Sequence, residues 1–380
     1  EFLFLIILGV LTSLSLPPYN FLFINFVTFS LFFIYIFQKK KSAKNNKAFL
    51  YGWFFGFGYF LTNLYWITIS LTFDANFKFL IPIALIIVPL FLGIFYGIAT
   101  LIISFFKIEK NFSTIIIFSI AFSVIEYIRS FIIGGFPWNI IAYSWTNYVN
   151  SLQIISFIGT YSFNLLSITA FLLPIVIFYK KSLKLKFFTM FLLLIGLFMN
   201  HLFGALKFQN DNKKEQSLDF VIKIVSPKIK INRFLQYEDP EKSIKEIINL
   251  SKPKLSKKTI FFFPEVILTN INFEDLKNYK KLFSENYSKN HIIFMGIRSN
   301  KIINGKLKVY NSLVVVDHNL QLLAKYDKNK LVPFGEFLPF ENFFSKLALK
   351  KITQGYQSFS SGNERKVISL NNFRFIPLIC

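Results

Sequence analysis

Glu265 closes the apolar run of FFFPEVILTN, three lysines precede Glu336 in KYDKNKLVPFGEFLPF, and Cys380, the one cysteine of 380 residues, follows FIPLI. Taken singly, each has a plain reading. Most acids at strand ends are solvated, a basic loop is usually a solvated face, and a lone buried cysteine is commonly a small hydrophobe. Together they supply an acid, a lysine and a thiol, which is what acyl transfer needs. A carboxylate can take the thiol proton, the thiolate attacks an acyl carbonyl, and an ammonium stabilises the oxyanion. A free thiol of pKa about 8.5 is only a few per cent ionised at neutral pH, so a positioned base is useful. On residue type alone Lys325, Lys328 and Lys330 all qualify.

Other chemistries find little support. His201, His291 and His318 are scattered without metal-ligand spacing, and one cysteine excludes an intrachain disulfide or a multi-cysteine metal site. There is no G-x-S-x-G elbow, no P-loop and no dinucleotide fingerprint. No metal or cofactor is therefore expected.

The elements that must position these residues divide into two kinds. Hydrophobic residues make up 53%, aromatics 19% and charged residues 17% of the chain, a composition too apolar for an ordinary soluble protein. The 52 Phe, with many Ile, Lys and Asn, fit an A+T-rich coding bias and are not read as an aromatic ligand site. Apolar runs, uncharged apart from Glu126 and Arg129 in the fifth, lie at about 2 to 16, 21 to 38, 48 to 71, 79 to 106, 113 to 133, 152 to 178 and 187 to 205. All but the first are of the length that a helix needs to cross a bilayer, and the first is read as a clipped span, making about seven.

The net charge of +23 would suggest nucleic acid in a soluble protein, but here the lysines sort by loop. Lys39, Lys40, Lys41, Lys44 and Lys47 occupy one loop, Lys107 and Lys110 another, and Lys180, Lys181, Lys184 and Lys186 a third, whereas the alternate loops hold only Lys78. Positive charge is retained on the cytoplasmic side, so the N-terminus is expected there and everything after about residue 206 outside, in the periplasm. Nucleic acid is not expected as a partner.

Residues 1–205 are thus expected to form a multi-span α-helical membrane bundle, and residues 206–380 an α/β extracytoplasmic domain. In the latter, LDFVIKIV, TIFFFPE, HIIFMGI, NSLVVVD, LQLLAKYD and FRFIPLIC read as strands. DPEKSIKEIINL reads as a helix capped by Asp239 with Ile244, Ile247 and Ile248 on one face; NFEDLKNYKKLF reads as a second, capped by Asn272 with Leu276, Tyr279 and Phe283 inward.

The segments FPE, KNKLVPFGEFLP and PLIC resemble the Glu-Lys-Cys triad of the nitrilase superfamily, in particular its membrane-bound branch, the apolipoprotein N-acyltransferases. GGFPWNIIAYSW, GFGYFLTNLYWITIS and VYNSLVVVD are similar to that family too. The resemblance implies an αββα sandwich after the bundle. It makes Glu265 the general base, Lys328 the oxyanion-stabilising lysine, Cys380 the nucleophile and Glu336 a supporting acid. It implies a phospholipid acyl donor and a diacylated apolipoprotein acceptor in the bacterial cytoplasmic (inner) membrane. Where the family places Gln and Asn after the first strand, this chain has Ser226 and Lys228. The family also continues past the cysteine with Tyr-Glu, further strands and another span. The chain is therefore expected to be cut at both ends, its α/β domain incomplete at the C-terminus, and the 380-residue polypeptide is expected not to turn over by itself.

Within the bundle, Glu126 and Arg129 of FSVIEYIRSFII stand three apart on one helical face, as an intramembrane pair of structural or substrate-facing role. The loop GGFPWNIIAYSW follows; its Trp138, Tyr143 and Trp145 suit either an interfacial aromatic belt or the lining of a lipid entrance. A transporter would also explain many spans but not the external acid, lysine and thiol. A membrane-tethered nitrilase-like amidase, using water as acceptor, is the second enzymatic alternative.

Overall fold

A computed structural model describes residues 1–42, 47–73, 75–106, 112–132, 135–178, 182–212, 219–228, 239–333, 335–337, 358–370 and 373–379. The chain divides into two compact units, Glu1–Glu215 and Gln216–Cys380.

In the first unit each apolar run is helical: α1 (Phe2–Ser13), α2 (Ile24–Ser42), α3 (Ala48–Asn63), α4 (Ile81–Phe105), α5 (Phe112–Arg129), the short α6 (Val149–Leu152), α7 (Ile155–Phe171) and α8 (Leu183–Asn212). Among the described residues four helices are long and apolar enough to cross a membrane, or five if α3 and the 3-10 segment Tyr65–Thr72, bent from it by 50°, form one span. Phe2–Ser13 and Ile24–Lys39 are apolar but shorter. Large apolar side chains point outward over this unit, Leu3, Phe157 and Phe187 each about 70% exposed, as lipid-facing residues are.

Between helices surrounded by lipid there is little hydrophobic drive to associate, so close backbone packing must hold them. Gly56 of α3 faces Gly93 of α4, and a side-chain carbon on Gly56 would lie 2.9 Å from the Gly93 Cα. Phenylalanine fills what remains: Phe32 stacks on Phe55 with centroids 4.0 Å apart, and Phe118 on Phe122 at 4.6 Å. Many of the phenylalanine rings are buried and form the core of this unit.

The second unit is a five-stranded mixed sheet in the order β1 (Val221–Ile224), β2 (Thr259–Phe262), β3 (His291–Ile303), β4 (Lys306–Val316), β5 (Leu322–Asp327). β1, β2 and β3 are parallel; β4 and β5 are antiparallel to their neighbours. Phe261 and Phe263 face α9 (Pro240–Ser251), α10 (Phe273–Leu276) and α11 (Lys280–Asn286), while Ile260 and Phe262 face the hairpin of β6 (Ile368–Leu370) and β7 (Phe373–Phe375). Burial on both faces is why β2 is apolar at successive positions instead of alternating.

Local chemistry sets the ends of these elements. Asp239 caps α9, accepting from the Glu241 N–H at 3.1 Å, and Ile244, Ile247 and Ile248 are buried. Asn272 and Asp275 form a capping box on α10, and the single helix expected there is divided into α10, a 3-10 turn and α11. The strand expected over FRFIPLIC ends at Phe375, ahead of Pro377, which has no N–H to give a ladder.

Candidate active site

Two carboxylates, an ammonium and an amide meet beside the ends of β2 and β5. Glu265 lies just past β2, in a turn where Val266 has φ +47°, a left-handed conformation costly for a β-branched residue. β3 holds that turn close: the Ile267 N–H donates to the Gly296 carbonyl at 2.9 Å, and a side-chain carbon on Gly296 would sit 2.5 Å from the Glu265 Cα. Only glycine admits this approach.

Lys328 follows β5, and its N–H donates to the Asn311 carbonyl at 2.8 Å, one step beyond the β4–β5 ladder. Its ammonium is 3% exposed and lies 3.0 Å from both Glu336 oxygens and 3.6 Å from Glu265 Oε1. Geometry thereby separates the three candidate lysines. Lys325 instead pairs with Asp327 at 3.3 Å, and Lys330 is exposed.

The two glutamates differ in how they are held. Glu336 is 13% exposed and saturated, taking the Lys328 ammonium, the Asn311 amide and, at 2.8 Å, the Val332 N–H. Glu265 is 41% exposed; its one side-chain hydrogen bond among the described residues comes from Asn311 at 2.5 Å. A saturated carboxylate orients a neighbour, and a half-exposed one can exchange a proton.

Asn311 was not among the residues expected at the site. Its Nδ2 bridges both glutamates, and its Oδ1 is buried without a hydrogen-bond partner among the described residues. One signal was present: in VYNSLVVVD an amide leads into an apolar run, and once buried it must be satisfied by something. A crossing segment locks the arrangement, since the Phe359 N–H donates to the Glu336 carbonyl at 2.8 Å and the Gly362 N–H to the Lys328 carbonyl at 2.9 Å.

Cys380 lies outside the described residues. Ser226 and Lys228 are exposed just past β1. Among the described residues no group of three His, Cys, Asp or Glu side chains could hold a metal ion.

In the bundle unit Trp138 is 54% exposed and Tyr143 half-buried, whereas Trp145 is 8% exposed and stacks on Phe171 at 5.9 Å as part of the core. Glu126 and Arg129 are fully buried and 3.7 Å apart.

Residues 8–170 match the model of the apolipoprotein N-acyltransferase N-terminal domain, and residues 236–380 that of the carbon-nitrogen hydrolases. The chain is 31% identical to a Rickettsia prowazekii protein named apolipoprotein N-acyltransferase, over 99% of this chain and 73% of that one. It is 31% identical to the protein so named from Rickettsia typhi, over 98% and 73%. A Brucella melitensis protein of the same name is 26% identical over 98% of this chain and 72% of its own.

Proposed function

The chain belongs to the apolipoprotein N-acyltransferase family and is an acyltransferase acting in lipoprotein N-acylation, and from that premise we propose how its residues divide the work. Cys380 is the nucleophile, Glu265 the general base and Lys328 the cation that meets the developing oxyanion. Glu336 and Asn311 keep Lys328 and Glu265 in place.

The donor is a phospholipid. Glu265 takes the Cys380 thiol proton, the thiolate adds to the acyl ester carbonyl, and Lys328 stabilises the negative oxygen of the tetrahedral intermediate. Its collapse breaks the C–O ester bond, and the departing lysophospholipid alkoxide takes the proton back from Glu265. The acyl group is now a thioester on Cys380. The N-terminal amine of a diacylated apolipoprotein then adds to that thioester and gives its proton to Glu265. Breaking the C–S bond releases the amide, and the proton restores the thiol.

The supporting observation is the Lys328 ammonium, buried between two carboxylates reached from residues that the sequence had already singled out. The reaction needs a membrane; the seven apolar runs of the sequence support about seven crossings, and the lysine distribution among their loops supports a cytoplasmic N-terminus and a periplasmic site in the bacterial inner membrane. Of the aromatic residues considered for a lipid entrance, exposure favours Trp138, then Tyr143; Trp145 serves from the core. The match of the first half to an acyltransferase domain disfavours the transporter and amidase alternatives.

The full-length protein in phospholipid vesicles should form an acyl thioester on Cys380, detected by mass spectrometry. An amine-terminated lipopeptide should discharge it faster than water does. Discharge by water alone at the same rate would indicate a hydrolase.

A further inference from the structure

The acyl-transfer steps make no use of Glu126 and Arg129, yet both are fully buried, and Arg129 directly and Glu126 in part hydrogen-bond the backbone of one loop. Arg129 Nη1 donates to the carbonyls of Phe136 at 3.0 Å and Trp138 at 2.8 Å, and Nη2 to that of Asn139 at 3.5 Å. Its plane also lies over the Phe60 ring, 5.1 Å from the centroid. Glu126 Oε2 takes the Ile141 N–H at 3.5 Å and the Asn164 amide at 2.6 Å, and Asn164 Oδ1 in turn takes the Ala142 N–H at 2.8 Å. Tyr96 donates to Glu126 Oε1 at 2.7 Å.

A buried charge pair is costly to maintain, and this one is spent on main-chain carbonyls and N–H groups that an irregular loop would otherwise leave unpaired among apolar helices. The loop needs such help. Asn139 sits at φ +55°, and the Tyr59 hydroxyl takes up its carbonyl at 3.1 Å. What the loop presents is Trp138, 54% exposed, with its ring 5.4 Å from that of Trp66, itself 40% exposed. Two large exposed rings, one of them on the hydrogen-bonded loop, have the chemistry to meet acyl chains and the polar–apolar boundary of a lipid.

We propose that Glu126 and Arg129 are positioning residues that hold the 136–142 loop so that Trp138, paired with Trp66, meets the phospholipid acyl donor as it approaches. This rests on the reading that the donor is a phospholipid. It assigns the buried pair to donor capture and leaves the bond-making steps to the other unit.

The test has two arms. In vesicles of increasing phospholipid content, thioester formation is followed for Arg129→Lys, Trp138→Ala and Trp66→Ala. Lysine keeps a charge opposite Glu126 but lacks the fork that spans several carbonyls. Each variant should raise the donor level for half-maximal rate by roughly tenfold, the scale of one well-placed aromatic contact. The maximal rate should stay within about twofold, because donor binding and not chemistry is impaired. Arg129→Lys and Trp138→Ala combined should cost no more than either alone. A fall in maximal rate with the half-saturation point unchanged, or additive effects, overturns the proposal.

The second arm needs no chemistry. Quenching of tryptophan fluorescence by dibrominated phosphatidylcholine is compared between the protein and Trp138→Phe; the difference reports Trp138. That difference should shrink in an Arg129→Lys background, and an unchanged difference refutes the positioning role. Should the unaltered protein form no thioester at all, the phospholipid-donor reading fails and the quenching arm still decides the role of Arg129. If Arg129→Lys does not fold, the two surface tryptophan variants decide the kinetic arm.

Discussion

Asn311 donates through Nδ2 to Glu265 Oε1 across 2.5 Å, from a strand 46 residues further along the chain. The same nitrogen reaches Glu336 Oε1 at 2.8 Å, so one neutral amide separates two carboxylates that share one ammonium. Each carboxylate is given a proton donor without a second cation beside Lys328; in the proposed mechanism such a cation would compete for the oxyanion.

Replacing Asn311 with Ala should slow thioester formation about ten- to a hundredfold by releasing Glu265 from its orientation. Asn311→Asp should be worse than Ala, because a third carboxylate repels the other two. Stopped-flow acylation with equal amounts of folded protein would measure both; an aspartate variant faster than the alanine one contradicts the bridging role.

Cys380→Ala should abolish the thioester and Glu265→Gln should slow it by at least roughly a hundredfold, the contribution of a general base. The lysines should sort as their surroundings do. Lys328→Ala should lose about a hundred- to a thousandfold, as when an oxyanion donor is removed. Lys325→Ala, which gives up a partly exposed pair with Asp327 and a contact with the Tyr310 ring, should stay within a few-fold of the unaltered rate. Mass spectrometry of the acylated protein over time separates these outcomes.

Gly296→Ala places a carbon 2.5 Å from the Glu265 Cα and 2.6 Å from the Pro264 carbonyl, and neither backbone atom can swing aside as a flexible side chain would. The unit should be destabilised by about 1–3 kcal/mol, and the base displaced. Chemical denaturation together with the acylation rate checks this; a stable variant with normal acylation shows that the close approach is dispensable.

His291 is buried at the start of β3, its Nδ1 accepting the Ser288 N–H at 3.1 Å and its Nε2 3.1 Å from the Lys254 carbonyl. That pattern suits the neutral ring. Burial, with the nearby His318 and Lys223 charges adding, holds its pKa below the ordinary value, against the smaller opposing pull of carbonyls at Lys254 and Lys257. The unfolded chain therefore binds this proton at higher pH than the folded one, so stability is full well above about pH 6.5 and declines as pH falls through that value toward the lower folded pKa. The melting temperature should drop on acidification from about pH 7.5 to about pH 5, and His291→Gln should flatten that dependence.

Much of this molecule was readable where one local rule dominated. The cap at Asp239, the buried stripe of Ile244, Ile247 and Ile248, and the two-faced apolar strand TIFF follow from spacing and side-chain type. The 50° bend after Asn63 was not readable, because apolar character runs through it unbroken and reports burial, not direction. Nor was the selection of Lys328 over Lys325 and Lys330 by residue type alone. It depends on which ammonium the β5 register and the crossing segment at 359–362 enclose. Asn311 escaped for the same reason: its partners lie 46 and 25 residues away, a distance that no local pattern encodes.

The hydrogen bond from the Gly362 N–H to the Lys328 carbonyl has a temporal consequence. During synthesis β1, β2 and β3 can begin to pair as soon as each parallel crossover is complete, but the lysine stays unclamped until residue 362 has left the ribosome. A nascent chain therefore reaches the bilayer with its helices made and its charged centre still open. The Lys328 clamp is therefore completed late in translation, after the helices of the first unit have been made.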